Sequence, residues 1–364
     1  MEKTISFEFA FNSSSISLFP NFILPEDGDD NIDGNEERTT TTTAYARPNL
    51  SKVMPLTSIP TIDMSIDHDS LVSIIAKACE DFGFFQIINH GVPREVYKKM
   101  MDVSMAFFRL PCEERGKLYS SNPHEVVRVG SGYVELQNKE RVNLWMERLS
   151  HLAHPFLKEN AHLLPQNPPE YREIAVEYAK EIADLVNRLW GLLSEGLGVE
   201  PNYLKKTFEN NVIFHQIVNF YPPCPDPELT LGLPPHTDIG LITVFQQVDG
   251  VSGLQIVKDG EWLAVDPLPD ALIINLGDQF EVLSNGRFKS QDHRAVNNEK
   301  VQRLSVVTHC KPKMEVVIGP INELASNAEQ TPLYRHYPFE EYNTQYYKDF
   351  KVVRKVKELF LLHP

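Results

Sequence analysis

The stretch Asn219–Val244, NFYPPCPDPELTLGLPPHTDIGLITV, contains the pattern from which the rest of the chain can be interpreted. At its centre lies the triplet His236-Thr237-Asp238. Successive side chains of an extended strand point to opposite faces, so residues i and i+2 share a face. An imidazole and a carboxylate at this spacing can therefore bind one metal ion together.

A second histidine and a basic motif follow this triplet. His293 comes 55 residues after Asp238 (293 − 238 = 55), and Arg303 and Ser305 follow it in the string RLS. Two histidines and one carboxylate form the facial triad of non-haem Fe(II) oxygenases, which leaves metal positions open for a cosubstrate and oxygen. Each part alone is uninformative, since a lone histidine is usually a structural residue. Their order and spacing together predict a metal centre at His236, Asp238 and His293.

The region from Asn219 to Ser305 resembles the 2-oxoglutarate- and Fe(II)-dependent dioxygenases of plant specialised metabolism, such as flavonol synthase, anthocyanidin synthase and hyoscyamine 6-hydroxylase. The matching segments are NFYPPCP, LGLPPHTDIGLITVFQQ, GLQI, ALIINLGD, LSNGRFKS, HRAV and RLS. Upstream, DFGFFQIINHGV and FFRLP resemble the N-terminal region of the same family, in which helices pack against the catalytic barrel. The resemblance covers about residues 59–360.

This resemblance implies that His236, Asp238 and His293 bind Fe(II), with 2-oxoglutarate and O₂ as cosubstrates and ascorbate as reductant. The reaction it implies is oxidative decarboxylation of 2-oxoglutarate to succinate and CO₂, coupled to hydroxylation or desaturation of a small specialised metabolite, an alkaloid, terpenoid or phenolic. Two alternatives remain open. One is a jelly-roll isomerase or hydrolase with another metal, which would have no need of a second carboxylate-binding site. The other is a catalytically silent metabolite-binding protein, which would have no need of a complete ligand set.

The cosubstrate pocket is expected beside the metal. The far carboxylate of 2-oxoglutarate needs a buried counter-ion of fixed geometry, which the planar fork of Arg303 provides and a lysine does not. Ser305 adds a hydroxyl donor from the same strand face. By resemblance to the family, Tyr221 and Asn219 complete this pocket.

Strand alternation also predicts residues that contact the organic substrate. If Arg303 faces the cavity, so do Val307, His309 and Lys311. In flavonoid-oxidising relatives the position matching His309 is typically a phenylalanine that stacks on the substrate, and in anthocyanidin-forming members the position matching Lys311 is acidic. We expect His309 and Lys311 to form a polar, partly cationic rim that orients a carboxylate, carbonyl or phenolate. The alternative is that His309 only packs as a flat ring while Lys311 reaches solvent.

Composition limits the other classes of function. A net charge of −15 argues against a nucleic-acid partner and against binding to an anionic membrane surface. The sequence contains no run of 18 or more apolar residues, so we expect no membrane-spanning helix. The four cysteines form no C-x-x-C pair, so we expect neither a zinc knuckle nor disulfides. The first residues resemble neither a transit peptide nor a secretory signal. We therefore expect a cytoplasmic monomer that binds a small molecule.

The change of the hydrophobic period from 3.6 to 2 and the spacing of the short strands suggest a double-sheet jelly roll. The resemblance implies the same fold, an α+β, mainly β protein with a double-stranded β-helix (jelly-roll) core and a helical N-terminal region packed on it. Residues 1–55, which include an acidic run at Glu26–Arg38 and the threonine tract Thr39–Thr43, are expected to be a disordered extension. Residues 56–205 form the mainly helical N-terminal region, residues 206–320 the jelly-roll core, and residues 321–364 a C-terminal loop and helix.

Local signals predict the individual elements. Three helices are expected before the core: one beginning after Asp67 or Asp69, one opened by Pro93 at its first position, and one spanning roughly Glu170–Glu195 with Gly196 as its C-cap. A final helix is expected within Phe339–Leu361, and a hairpin turn at Asn285-Gly286. The strands predicted in the core are Ile213–Tyr221, Leu241–Gln247, Gly253–Val257, Glu261–Val265, Ala271–Leu276, Arg287–Ser290, Arg303–Lys311 and Glu315–Ile318.

Overall fold

The structure, a computed structural model, describes residues 20–25, 47–48, 50, 59–122, 125–135, 140–325, 331–349 and 356–362. The acidic run and the threonine tract of the expected N-terminal extension lie outside the described residues. Within the extension, Phe22 and Leu24 are buried. The ring of Phe22 packs edge-on against Trp145 with 5.1 Å between ring centroids. Residues 20–25 therefore pack against the core, which the composition of the extension did not predict.

Two facing β-sheets form the centre of the molecule. The strands are β1 Thr61–Asp63, β2 Phe84–Ile88, β3 Val127–Gly130, β4 Tyr133–Glu135, β5 Arg141–Asn143, β6 Glu147–Leu152, β7 Val212–Tyr221, β8 Leu233–His236, β9 Ile242–Gln247, β10 Leu254–Lys258, β11 Glu261–Val265, β12 Leu272–Leu276, β13 His293–Ala295, β14 Arg303–Pro312, β15 Val317–Ile318 and β16 Tyr337–Pro338. The larger sheet has the order β1-β2-β12-β9-β14-β7-β6-β3, and the smaller sheet has the order β11-β10-β13-β8. The strands β4 and β5 pair separately, as do β15 and β16.

The two sheets pack together through apolar side chains on their facing surfaces. Phe84 and Ile273 of the larger sheet form one buried cluster with Leu254, Ile256 and Val265 of the smaller sheet. The larger sheet draws β1, β2, β3 and β6 from the first half of the chain, so its hydrogen bonding continues across the boundary expected at residue 205.

Several helices cover the opposite face of the larger sheet. The helices of the described chain are α1 His68–Asp81, α2 Arg94–Phe108, α3 Cys112–Gly116, α4 Leu157–Asn160, α5 Tyr171–Leu197, α6 Tyr203–Phe208, α7 Asp278–Leu283, α8 Asn322–Ala325 and α9 Phe339–Asp349. Alternate residues of β14, among them Leu304 and Val306, belong to the large core cluster that also contains the buried residues of α5. Burying this face fixes which side chains of β14 face the smaller sheet.

Several helix boundaries follow from local chemistry. The Asp67 side chain caps α1 by accepting a hydrogen bond from the Ser70 amide at 3.0 Å, as predicted. The predicted C-cap of α5 is wrong, because Gly196 lies inside the helix, where an added Cβ would come within 3.1 Å of the Ala76 Cβ. The cap is instead Gly198, whose φ of 83° is the left-handed conformation that glycine favours.

The segment between β12 and β13 also differs from expectation. The predicted strand Arg287–Ser290 and the predicted hairpin at Asn285-Gly286 are both wrong. Asn285 and Gly286 have positive φ because they end α7, and the Gly286 amide donates to the Glu281 carbonyl at 2.8 Å. A short turn of positive-φ residues serves a helix C-terminus as well as a hairpin, so the dipeptide alone does not distinguish them.

The remaining predicted elements are present in the structure, with boundaries that differ by a few residues. The other seven predicted core strands match observed strands to within two residues. The predicted C-terminal helix is α9 followed by a 3₁₀ helix at Val356–Phe360, with residues 350–355 outside the described part. None of the four cysteines forms a disulfide, as predicted. Within the described part of the chain, no helix combines the length and the apolar character needed to cross a bilayer.

Candidate metal and cosubstrate site

The smaller sheet brings the two predicted histidine ligands side by side. His236, the last residue of β8, is paired directly with His293, the first residue of β13. Their ring centroids are 4.2 Å apart. Asp238 follows two residues after the end of β8, and its Oδ1 lies 3.8 Å from the Nε2 of each histidine. Their potential ligand atoms all lie within 4.8 Å of one another, and no other such group occurs among the described residues.

Hydrogen bonds to the backbone orient both imidazoles. His236 Nδ1 lies 2.8 Å from the Pro234 carbonyl, and His293 Nδ1 lies 3.1 Å from the Gln291 carbonyl. Because a carbonyl can only accept, each Nδ1 carries the proton and donates it, which leaves the lone pair on Nε2. Burial lowers the pKa of His236 to about 4. At neutral pH the His236 ring is therefore neutral, and its Nε2, which faces Asp238, has a lone pair that can bind a metal ion.

The Asp238 carboxylate is oriented in the same way. Its Oδ2 accepts hydrogen bonds from Thr243 Oγ1 at 2.6 Å and from Asn275 Nδ2 at 2.7 Å, while Oδ1 faces the histidines. Burial acts to raise the pKa of Asp238, but the neighbouring histidines and the Thr243 hydroxyl outweigh it and hold this pKa below its ordinary value. The sequence did not single out Thr243 or Asn275, because their role depends on pairing between β9 and β12.

The backbone around Asp238 is held by the loop that begins α7. The Asp278 amide donates to the Asp238 carbonyl at 2.7 Å, and the Asp278 carboxylate accepts from Thr237 Oγ1 at 3.0 Å. Gly277 allows this close approach, since an added Cβ would lie 2.3 Å from the Gly240 carbonyl oxygen. Asp278 therefore positions the candidate metal ligand Asp238, a role that the sequence pattern did not reveal.

These residues fit Fe(II). Two imidazole nitrogens and one carboxylate oxygen converge from one side, which is the donor set of the facial triad and leaves the other positions of the metal open. Hydrogen bonds with surrounding residues fix the orientation of each of the three side chains without a metal ion.

A second group of polar residues lies on the larger sheet. Arg303 is buried, and its Nη2 donates to Gln247 Oε1 at 3.0 Å. Its guanidinium carbon lies 5.1 Å from the ring centroid of Tyr221 and 5.7 Å from that of Phe245. The register pairs Arg303 with Tyr221, and pairs Ser305 both with Asn219 and with Gln247. The four predicted cosubstrate residues therefore share one face of the larger sheet, with Gln247 and Phe245 as additions that the sequence did not predict.

This group has donors without acceptors. Arg303 Nε and Nη1, Gln247 Nε2 and Ser305 Oγ are buried without a well-formed hydrogen bond within the described residues, and the Tyr221 phenol lies close enough to interact with Arg303 and Ser305. Leaving such a group unpaired costs about 1–3 kcal/mol, and more when it is charged. Burial lowers the pKa of Arg303, but a guanidinium stays protonated at neutral pH. A carboxylate would satisfy these donors, so the pocket fits the far carboxylate of 2-oxoglutarate.

The predicted substrate residues lie further along β14. Val307, His309 and Lys311 alternate with core residues and so share the face of Ser305. His309 lies deeper than the expected rim: its Nδ1 is 3.0 Å from Thr243 Oγ1 and 3.7 Å from Asp238 Oδ2.

The two polar residues of the expected rim differ in charge. Because the Thr243 hydroxyl donates to Asp238, His309 Nδ1 must be the donor in its contact with Thr243. Burial lowers the pKa of His309 to about 4, so the ring is neutral at neutral pH. The expected cationic character of this region therefore belongs to Lys311, whose pKa burial lowers to about 8.

Comparisons with known proteins agree with this geometry. Residues 213–312 match the 2OG-Fe(II) oxygenase superfamily, and residues 59–172 match the non-haem dioxygenase N-terminal region, described from morphine synthesis. The chain is 42% identical to Protein DOWNY MILDEW RESISTANCE 6 of Arabidopsis thaliana over 307 residues, which cover 84% of this chain and 88% of that protein. It is 40% identical to Flavanone 3-dioxygenase 2 of Oryza sativa subsp. japonica, covering 84% and 86%.

A solved structure extends the similarity to the whole fold. JOX2, crystallised with 2OG, Fe and JA, superposes with a TM-score of 0.78 at 31% identity, covering 94% of this chain and 92% of that chain. The comparisons support neither an isomerase or hydrolase nor a silent binding protein. The chain therefore belongs to the 2-oxoglutarate- and Fe(II)-dependent oxygenase superfamily, with its double-stranded β-helix fold, and is a dioxygenase that uses Fe(II) and 2-oxoglutarate.

Proposed function

We propose that this dioxygenase hydroxylates or desaturates a small specialised metabolite, an alkaloid, terpenoid or phenolic, with His236, Asp238 and His293 as its Fe(II) ligands. The observation that carries the assignment is their convergence within 4.8 Å, with each side chain oriented by hydrogen bonds on its far side. When bound, Fe(II) supplies the oxidising chemistry, driven by the conversion of 2-oxoglutarate and O₂ to succinate and CO₂. The protein's part is to orient ligands and substrate and to exclude water.

Arg303 and Ser305 bind the far carboxylate of 2-oxoglutarate in this proposal, and Tyr221 and Asn219 complete the pocket. The support is the set of buried donors that lack acceptors, which Gln247 extends with its amide. Burial raises the pKa of Tyr221, so its phenol stays protonated and remains a donor at neutral pH. A bidentate pair with Arg303 also fixes the direction from which the cosubstrate reaches the metal.

Val307, His309 and Lys311 contact the organic substrate in this proposal. They extend from the cosubstrate pocket past the metal ligands along one strand face. The neutral His309 offers Nε2 as a hydrogen-bond acceptor, and Lys311 offers a positive charge. Relatives that include a flavanone dioxygenase and a structure with bound JA support a small organic substrate. We further propose that the enzyme acts as a monomer in the cytoplasm. Its net charge of −15 argues against a polyanionic partner such as a nucleic acid.

The test is succinate release from 2-oxoglutarate with Fe(II), ascorbate and O₂, measured with and without a panel of alkaloids, terpenoids and phenolics. We expect slow release without substrate and faster release, with an oxidised product, for one class in the panel. Omitting iron is the matched control and should abolish release. Product formation that persists without 2-oxoglutarate would contradict the proposed reaction.

A further inference from the structure

An arginine that the cosubstrate pocket does not use faces the same cavity. On β6, Arg148 is paired with Asn219 of β7, which is paired in turn with Ser305 of β14. Directly opposed residues of neighbouring strands share a face of the sheet. Arg148 therefore projects from the cavity face, directly beside Asn219 of the predicted 2-oxoglutarate pocket and two strands away from Arg303 and Ser305. Its charge acts on Tyr221 and on Lys311, as expected for this position.

Arg148 makes no side-chain hydrogen bond or ion pair in the described part of the chain, and its titratable neighbours there include the phenols of Tyr221 and Tyr347. Its Nε is buried without a hydrogen bond, and no described carboxylate lies within 4.0 Å of its guanidinium. The preceding residue provides a contrast. Glu147 points to the opposite face and binds Arg115 through two hydrogen bonds of 2.9 and 3.0 Å. The core face of β6 thus carries a complete ion pair, whereas on the cavity face the Arg148 guanidinium has no carboxylate partner among the described residues.

Two further cations lie near Arg148. Arg128 is on β3, where it is paired with Ser150 of β6 and so shares the cavity face with Arg148. Lys311 is on the cavity face of β14. Neither forms an ion pair within the described residues. Burial, followed by repulsion from Arg128, lowers the pKa of Arg148 to about 10. Burial also lowers the pKa of Lys311 to about 8, with repulsion from Arg148 adding to it and attraction to Asp238 opposing it.

Arg148, Arg128 and Lys311 are each partly buried. Gathering uncompensated positive charge in a partly buried region is unfavourable unless a ligand supplies the opposite charge. The nearby carboxylate, Asp238, is already hydrogen-bonded and faces the histidine pair. We propose that Arg148, assisted by Arg128 and Lys311, binds a carboxylate on the organic substrate, so that this enzyme selects small acids over neutral molecules of the same shape. This inference rests on the proposed function, since it assigns the substrate class of the same cavity.

Binding of matched probes to the full-length protein tests this directly. The probes are benzoate, phenylacetate, cinnamate and naphthalene-1-acetate, each compared with its neutral amide. Titrations are made by calorimetry without oxygen, in saturating 2-oxoglutarate so that Arg303 is occupied, both with and without Fe(II). We expect at least one acid to bind about tenfold or more tightly than its amide, as for a charged hydrogen bond. The preference should persist without Fe(II), which excludes metal coordination as its source.

Variants assign the preference to one residue. Arg148→Gln should bring the acid and its amide to within about threefold of each other, and Arg148→Lys should keep part of the difference. Arg109→Gln, at an exposed arginine after α2, is the matched control and should keep the full preference. Should Arg148→Gln fail to fold by circular dichroism, Arg148→Lys and Arg128→Gln provide the same comparison.

The outcomes are distinct. The proposal is wrong if the wild-type protein prefers none of the acids, or if Arg148→Gln keeps the wild-type preference. It is also wrong if Arg148→Gln weakens 2-oxoglutarate as much as it weakens the acid, because Arg148 would then belong to the cosubstrate pocket. An acid preference in a protein that never releases succinate would instead refute the proposed function and leave the carboxylate site standing.

Discussion

The two halves of the cavity differ in how far the protein completes its own hydrogen bonds. On the smaller sheet, His236 and His293 each donate to a backbone carbonyl, and Asp238 Oδ2 accepts two hydrogen bonds. On the larger sheet, Arg303 and Arg148 present buried nitrogens with no acceptor among the described residues. The first half is organised in advance for a metal, and the second is left incomplete in a way that anionic ligands would complete.

This difference teaches what each kind of ligand requires of the fold. A metal site needs rigid ligands, and rigidity comes from satisfying every atom except the one that binds. An anion site needs free donors held in place by packing, and here aromatic rings hold Arg303. Unpaired buried donors are unfavourable, so an anionic ligand that pairs with them should stabilise the folded protein.

The largest expected effect comes from removing the anionic metal ligand. Asp238→Ala takes away the single carboxylate of the triad and leaves Thr243 and Asn275 without their acceptor. Iron occupancy and turnover should both fall by more than the ~10- to 100-fold typical of losing an outer partner. Metal analysis and succinate release measure the two effects. Asp102→Ala, on the exposed face of α2, is the control, and near-normal turnover of Asp238→Ala would show that the triad is assigned incorrectly.

The next effect separates the two halves. Arg303→Lys keeps the charge but loses the planar fork, so 2-oxoglutarate binding should weaken by about 1.5–3 kcal/mol, the value of a charged hydrogen bond. Iron affinity should hardly change, since Arg303 lies in the other half. Calorimetric titration of each ligand provides the measurement. An equal loss for both ligands would mean that Arg303 supports the whole fold rather than one pocket.

A smaller effect tests the preparation of the metal half. Thr243→Val keeps the shape of the side chain but removes the hydroxyl that bonds Asp238 and His309. Iron affinity should fall by about tenfold, at the lower end for an outer-shell partner, while 2-oxoglutarate affinity changes less. Thr61→Val, at an exposed position of β1, controls for the loss of a strand hydroxyl. Unchanged iron affinity in Thr243→Val would show that the Thr243 hydroxyl does not orient Asp238 for metal binding.

The smallest effects concern substrate choice. Lys311→Ala should raise KM for the true substrate by roughly three- to tenfold, equivalent to one hydrogen bond in the usual range. His309→Phe should lower activity on that substrate and raise acceptance of planar aromatic compounds. Steady-state kinetics with both compound types measure these changes. If both variants keep wild-type constants, these two residues do not select the substrate.

The sequence predicted the parts of the site that lie on regular strands. The alternation along β14 correctly placed Arg303, Ser305 and Val307 on one face, because the core on the other side admits only one register. The H-x-D triplet and His293 came together because β8 and β13 pair directly. Resemblance supplied the roles of these residues, which spacing alone left open.

What the sequence did not show depends on pairings between distant segments. Gln247 meets Ser305 only through the register of β9 and β14, and Arg148 reaches the cavity only because β6 pairs with β7. The turn at Asn285-Gly286 was misassigned because positive-φ residues end helices as well as hairpins. The depth of His309 required the Thr243 contact, which no local pattern predicts.

The comparison of the two halves can be decided by anaerobic absorption spectroscopy of Fe(II) and 2-oxoglutarate added together. Chelation of the metal by the keto acid gives a visible band that neither component gives alone. We predict this band for the wild-type protein, its loss in Asp238→Ala at any 2-oxoglutarate concentration, and its recovery in Arg303→Lys when more 2-oxoglutarate is added. An Asp238→Ala protein that titrates like wild type, or an Arg303→Lys protein with unchanged 2-oxoglutarate dependence, would contradict the assignment of the two halves.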